Sequence, residues 1–196
     1  MDTTEIRIAG FGGQGVILAG MILGRAAAIH DGQHVTLTQS FGPEARGSAC
    51  SVQFIVSAKQ ILYPYLTQPD VLVALSQEAC TRFAPGLKLG GLLLYEQDLI
   101  KPESLDPEIK SFGIPATRLA EELGRKLVLN LVMVGFATAL TGVVSPESVR
   151  KAIPESVPPG TESLNLAAFE KGSWHLRNWS PANMKQSRPI DTPLLL

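Results

Sequence analysis

Apolar positions along the chain fall into short runs separated by glycine and polar turns. Glu5-Ile6-Arg7-Ile8-Ala9 reads as a strand, residues 10–15 as a glycine turn, and the nearly all-apolar stretch from Val16 to about His30 as a helix. This is half of a βαβ unit. The Asp31-Gly32 turn leads into a second strand at residues 34–39, which a right-handed crossover places parallel to the first. After the polar loop 40–48 comes an alternating run, Ser51-Val52-Gln53-Phe54-Ile55-Val56, suited to a strand with one face less buried. Residues 70–75 give a further β-branched run, followed by a short helix over 77–83 and a strand at 92–95. Residues 111–114 add a last short strand ahead of helices at about 117–123 and 127–141. Strand and helix alternate as in doubly wound sheets.

Ser145-Pro146-Glu147-Ser148 reads as a helix start, because a serine caps free amides and proline is tolerated in the first turn. Pro154, Pro158 and Pro159 end that helix, and a last one spans residues 162–179. The fold class expected is α/β: a Rossmann-like, mostly parallel sheet with helices on both faces, in a single domain over residues 1–179. Residues 180–196 form a Pro-rich C-terminal tail, extended or disordered unless a partner holds it. Residues 127–144 run without a charge and reach the lower end of membrane-span length. Asn130, Gly135, Thr138, Thr141 and Gly142 within that stretch favour a helix buried in protein.

Composition narrows the function. With 17 Lys and Arg against 18 Asp and Glu, the net charge is −1, so nothing points to nucleic acid or an anionic membrane as a partner. Only 18% of the residues are charged, which is low for a soluble domain and implies that some surface is covered by something else. Cys50 and Cys80 are too few for a disulfide framework or a four-cysteine cluster, so metal chemistry must come from a partner. The acidic start lacks the charge pattern of a secretory signal, and a cytoplasmic protein is expected.

Gly10, Gly12 and Gly15 stand at GxGxxG spacing between a strand and a helix. Such a turn brings free amides and the positive end of a helix dipole to a phosphate or carboxylate; the alternative is a tightly packed turn that binds nothing. A dinucleotide site normally adds an acidic residue at the end of the second strand. Here the strand reads Val35-Thr36-Leu37-Thr38-Gln39, which argues against a nicotinamide dehydrogenase. The loop that follows carries Glu44, Arg46 and Gly47, and its arginine suits a phosphate or carboxylate. Against that stands a solvated loop with an incidental ion pair. Asn130 is read as a buried amide that tethers a neighbouring loop or, less directly, contacts a ligand. His30, His34 and His175 show neither metal-ligand spacing nor a nucleophile signature, so no catalytic residue is assigned.

Ile6-Arg7-Ile8-Ala9-Gly10-Phe11-Gly12-Gly13-Gln14-Gly15-Val16 and Gln39-Ser40-Phe41-Gly42-Pro43-Glu44-Ala45-Arg46-Gly47 resemble the gamma subunit of 2-oxoacid:ferredoxin oxidoreductases, most closely the 2-oxoglutarate type. Tyr63-Pro64, Pro69-Asp70, Leu75-Ser76-Gln77-Glu78-Ala79, the helix beginning at Asn130 and residues 165–172 extend the resemblance over residues 5–179. It implies a complex that converts a 2-oxoacid, coenzyme A and oxidised ferredoxin into acyl-coenzyme A, carbon dioxide and reduced ferredoxin. It also implies partners: alpha, beta and ferredoxin-like delta subunits that hold thiamine diphosphate and the iron–sulfur clusters. This chain would bind no cofactor alone and would be inactive alone. By the same resemblance Gly12, Gly13, Gln14 and Gly15 offer amides, and Arg46 a cation, to coenzyme A or a partner carboxylate. Two departures stand out: Ser48 replaces a second glycine after Arg46-Gly47, and residues 57–62 lack acidic residues before Tyr63-Pro64. The contrasting expectation is a free-standing nucleotide- or flavin-binding protein; a pure assembly scaffold is a third.

Overall fold

The computed structural model describes residues 3–43, 47–103 and 105–177. Glu44, Arg46 and the 180–196 tail therefore lie outside the described residues. Six strands form one sheet: β1 (Thr3–Phe11), β2 (His34–Phe41), β3 (Ala49–Ser57), β4 (Val71–Ala74), β5 (Leu92–Glu96) and β6 (Lys110–Ile114), in the order β2-β3-β1-β4-β5-β6. β1–β4, β4–β5 and β5–β6 pair in parallel, whereas β3 runs antiparallel to both β1 and β2. The expected common direction of β1 and β2 holds, but they are not neighbours. The short 42–48 connection returns the chain as a hairpin, and hairpins join only antiparallel strands. β3 thus occupies the place between them.

The helices follow their sequence signals. α1 (Val16–Arg25) continues as five π-helical residues, Ala26–His30. α2 (Gln77–Phe83) is capped by Ser76, whose hydroxyl accepts from the Ala79 N–H. α3 is Ala116–Glu121, and α4 (Leu129–Thr141) ends on Gly142 in the left-handed region. α5 (Pro146–Ala152) starts with Pro in its first turn and Ser145 as cap, as read from the sequence, and α6 covers Glu162–Arg177.

Alternation along the strands divides the core. Ile6, Ile8, Val52, Phe54, Val73, Leu94 and Ile114 bury one face of the sheet against α1, α3, α4, α5 and α6. Ala9, Leu72, Ala74 and Leu93 face the other way, onto Ala79, Cys80 and Ala84. Each fully buried Leu or Phe contributes about 1.5–3 kcal/mol of transfer free energy. α4 is the uncharged segment, and it lies inside this core: Leu131, Val132 and Phe136 are 0% exposed. Among the described residues no helix is long and apolar enough to cross a membrane. α4 and α6 touch backbone to backbone. A Cβ on Gly135 would fall on the Phe169 carbonyl, one on Gly172 on the Val132 carbonyl, and Ser173 Oγ donates to Gly135 O at 3.1 Å.

Candidate functional site

In open α/β sheets ligands bind outside the carboxyl ends of the strands. Here that rim holds the glycine turn between β1 and α1 and the hairpin tip between β2 and β3. Backbone hydrogen bonds join the two: Gly12 N–H donates to Ser48 O at 2.9 Å, and Gly47 N–H returns to Gly12 O at 3.2 Å. The hairpin closes below them, with Gly42 N–H on Ala49 O at 2.9 Å. Ser48, the departure from the related pattern, does not have to supply the positive φ of this tip, because Gly47 takes it at 78°.

Gln14 points inward rather than toward a ligand. Its Oε1 accepts from the Phe11 N–H at 2.7 Å and its Nε2 donates to Leu75 O at 2.8 Å. The amide therefore fills the crevice between the ends of β1 and β4, where a nucleotide would enter a dinucleotide fold. It also explains Gly10: a Cβ there would press on Gln14 Oε1 and lie 2.9 Å from Leu75 Cβ. Gln14 N–H is bonded to Phe11 O at 3.1 Å, so the backbone donors of Gly12 and Gln14 are both engaged within the chain.

Asn130 is the tether. It is 2% exposed and its Nδ2 donates to Gly15 O at 3.2 Å, fixing the glycine turn to α4 across 115 positions of sequence. Gly15 has φ 73°, and a side chain there would collide with Asn130. Packing alone thus accounts for two of the glycines in the motif.

A cleft of about 590 Å³ opens at the rim between Phe11, Gly12, Gly13, the first turn of α1, Phe41 and Pro43. α1 has no side-chain cap and no acidic residue in its first turn, so its leading N–H groups and its positive dipole end face this cleft. Among the described residues lining it none is charged. The arrangement favours an oxyanion at the end of α1.

Of the candidate residues, the structure brings Gly12, Gly13, Gln14, Gly15, Gly47 and Asn130 together; Glu44 and Arg46 fall outside it. Cys50 is buried on β3 against the α1 side and Cys80 within α2 on the opposite side. Burial pushes both thiols above their ordinary pKa, so neither is a poised thiolate. This donor set does not fit an iron–sulfur cluster. Among the described residues no three His, Cys, Asp or Glu side chains converge as a metal site would require.

A family model described as pyruvate ferredoxin/flavodoxin oxidoreductase matches residues 5–173. The chain belongs to this oxidoreductase family. The 2-oxoglutarate synthase subunit KorC of Methanocaldococcus jannaschii is 48% identical over 170 residues, spanning 86% of this chain and 91% of that subunit. Pyruvate synthase subunit PorC of the same archaeon is 34% identical over 171 residues, spanning 85% and 93%. The crystal structure of a keto/oxoacid ferredoxin oxidoreductase gamma subunit from Geobacter sulfurreducens PCA superimposes with a TM-score of 0.74 at 42% identity, covering 86% of this chain and 95% of that one. The family expected from the two glycine-bearing motifs is the family found, and the solved gamma subunit shares this α/β fold.

Proposed function

We propose that this chain is the gamma subunit of a 2-oxoglutarate:ferredoxin oxidoreductase and supplies no acid, base or nucleophile to the reaction. The observation that carries this reading is the near full-length identity of 48% to a 2-oxoglutarate synthase subunit, against 34% to the pyruvate synthase counterpart in one organism. The gap outweighs the missing acidic residues at 57–62. The inward Gln14 amide weighs against a free-standing nucleotide or flavin protein, since it takes the space such a ligand needs.

In this reading thiamine diphosphate and the clusters sit in alpha, beta and delta sister chains in the cytoplasm, and ferredoxin takes the electrons. The gamma chain shapes the approach to that centre. The Gly13 and Gly15 amides and the uncapped first turn of α1, together with Arg46, hold an oxyanion: a phosphate of coenzyme A or a carboxylate of a sister chain. Asn130 and Gln14 act as positioning residues that keep the turn in place.

The test is reconstitution. Purified alone, the chain should reduce no viologen; co-purified with alpha, beta and delta chains, it should support coenzyme A-dependent reduction with 2-oxoglutarate preferred over pyruvate. Turnover by the lone chain, or a preference for pyruvate, overturns the reading. Arg46→Ala should weaken assembly or raise the KM for coenzyme A; if neither changes, Arg46 has no part in the site.

A further inference from the structure

Among the described residues five α-helices cover one face of the sheet and α2 lies on the other, over β1 and β4. Strand registers set out the side chains on the rest of that second face in three rows: Thr36, Ile55 and Glu5; then Thr38, Gln53 and Arg7; then Ser40, Ser51 and Ala9. Residues 58–69 cross the first row. Thr36 Oγ1 donates to Pro64 O at 3.4 Å, and the Glu5 carboxylate accepts from the N–H groups of Thr67 and Gln68 at 2.9 and 3.1 Å. α2 covers the β1 end of the second and third rows, burying Ala9 and stacking Phe83 on Arg7, and no described helix or loop crosses their β2 end. Arg7, Thr38 and Gln53 stay partly exposed there, and Ser40 is open.

Arg7 is the unusual member. Its guanidinium carbon lies 4.4 Å from the centre of the Phe83 ring, and that of Arg82 lies 5.2 Å from the same centre. Arg7 Nε is buried without an acceptor, and among the described residues neither arginine has a carboxylate partner. Burial and then the Arg82 charge both lower the Arg7 pKa; Glu78, one turn before Arg82 on α2, lines the same small pocket as Arg82 and Phe83 but forms an ion pair with neither arginine. Exposed apolar side chains lie in the crossing segment, Leu62, Tyr63 and Tyr65 at 88%, 62% and 56%, and Phe41, at 65%, lines the small pocket that also holds Arg82 and Phe83. Arginine and aromatic residues together are the composition of protein interfaces and their energetic centres.

We propose that this uncovered half of the sheet is a docking surface for a sister chain of the oxidoreductase, which brings a carboxylate to Arg7 and Arg82. The inference rests on the reading of this chain as a subunit. Charge complementarity chooses the occupant, because a carboxylate accepts from guanidinium forks in the paired geometry that leaves no buried donor unsatisfied. The chain's own residues 178–196 suit the place poorly, carrying Lys185 and Arg188 against Asp191.

The experiment uses the co-purified complex. Arg82→Glu on the exposed side of α2 should raise the dissociation constant of this chain from its sister chains by about 10- to 100-fold and flatten its dependence on salt. Arg82→Lys should retain most of the affinity, and both variants should keep the thermal midpoint of the isolated chain. A photocrosslinking residue at Thr38 should capture a sister chain within the complex. Wild-type protein that fails to associate with those chains overturns the subunit reading together with this surface. Wild-type association with an unchanged affinity for Arg82→Glu overturns the surface alone. So does a crosslink that reaches only residues 178–196, or none. Arg82-dependent thermal stabilisation by inorganic phosphate with assembly unaffected would mark a free oxyanion site instead, and likewise overturns the docking.

Discussion

At the scale of single residues, the site is built by amides doing structural work. Gln14→Leu would leave the Phe11 N–H and the Leu75 carbonyl without partners, and it should lower stability by about 1–3 kcal/mol in urea unfolding. Asp31 performs the corresponding task at α5, accepting from Ser145 N–H and Oγ and from Ser148 Oγ. Burial alone would raise its pKa, but those hydrogen bonds from Ser148 and Ser145 outweigh it and hold the carboxyl below its ordinary value. The sign follows from linkage. A depressed folded-state pKa adds stability above the unfolded value near 4, and this is lost as pH falls through the folded value. Asp31→Asn should therefore flatten the acid limb of a stability-against-pH profile, read from thermal midpoints between pH 7 and 3. Asn130 was legible in the sequence as a tether because a lone amide in an apolar helix must find a partner. Glu96 was not. It is fully buried, accepting from Asp98 N–H and from Thr117 N–H and Oγ1. A carboxylate at a strand end reads as exposed, and two of its three donors arrive with Thr117 of α3, 21 positions later.

At the scale of elements, periodicity located every described strand and helix to within a few residues, because apolar runs and turn chemistry agreed along the chain. Two matters stayed hidden. The place of β3 between β1 and β2 depends on pairing partners, which an alternating run does not specify. The closeness of α4 and α6 depends on Gly135 facing Phe169 and on Gly172 facing Val132, a match between residues far apart in sequence. Gly135→Ala or Gly172→Ala should each cost at least about 2–3 kcal/mol, since a methyl group would meet backbone rather than a yielding side chain. Both substitutions wedge the same crossing, so the double variant should cost less than the sum, as a double-mutant cycle in urea would measure.

At the scale of the whole molecule, the low charge content and the exposed apolar side chains describe one surface. Leu62 and Tyr65 contribute little to the fold from positions 88% and 56% exposed. Changing either to Ser should move unfolding stability by no more than about 0.5 kcal/mol. The same changes should weaken association with sister chains, so calorimetric unfolding and binding measurements on one protein sample should diverge. Composition raised the expectation of a covered surface; the face proposed for it follows from the described helices, all but α2 of which collect on the other side of the sheet.

β3 carries a consequence for synthesis. β1 lies at the middle of the finished sheet, and both its neighbours, β3 at Ala49–Ser57 and β4 at Val71–Ala74, are made after it. Ile6 and Ile8 can pack on α1, which is made directly after them, but the N–H and C=O groups along both edges of β1 stay unpaired until β3 and β4 follow. The nascent polypeptide passes through a stage at which its future centre is an open-edged strand, and pairing with other chains is the hazard of that stage.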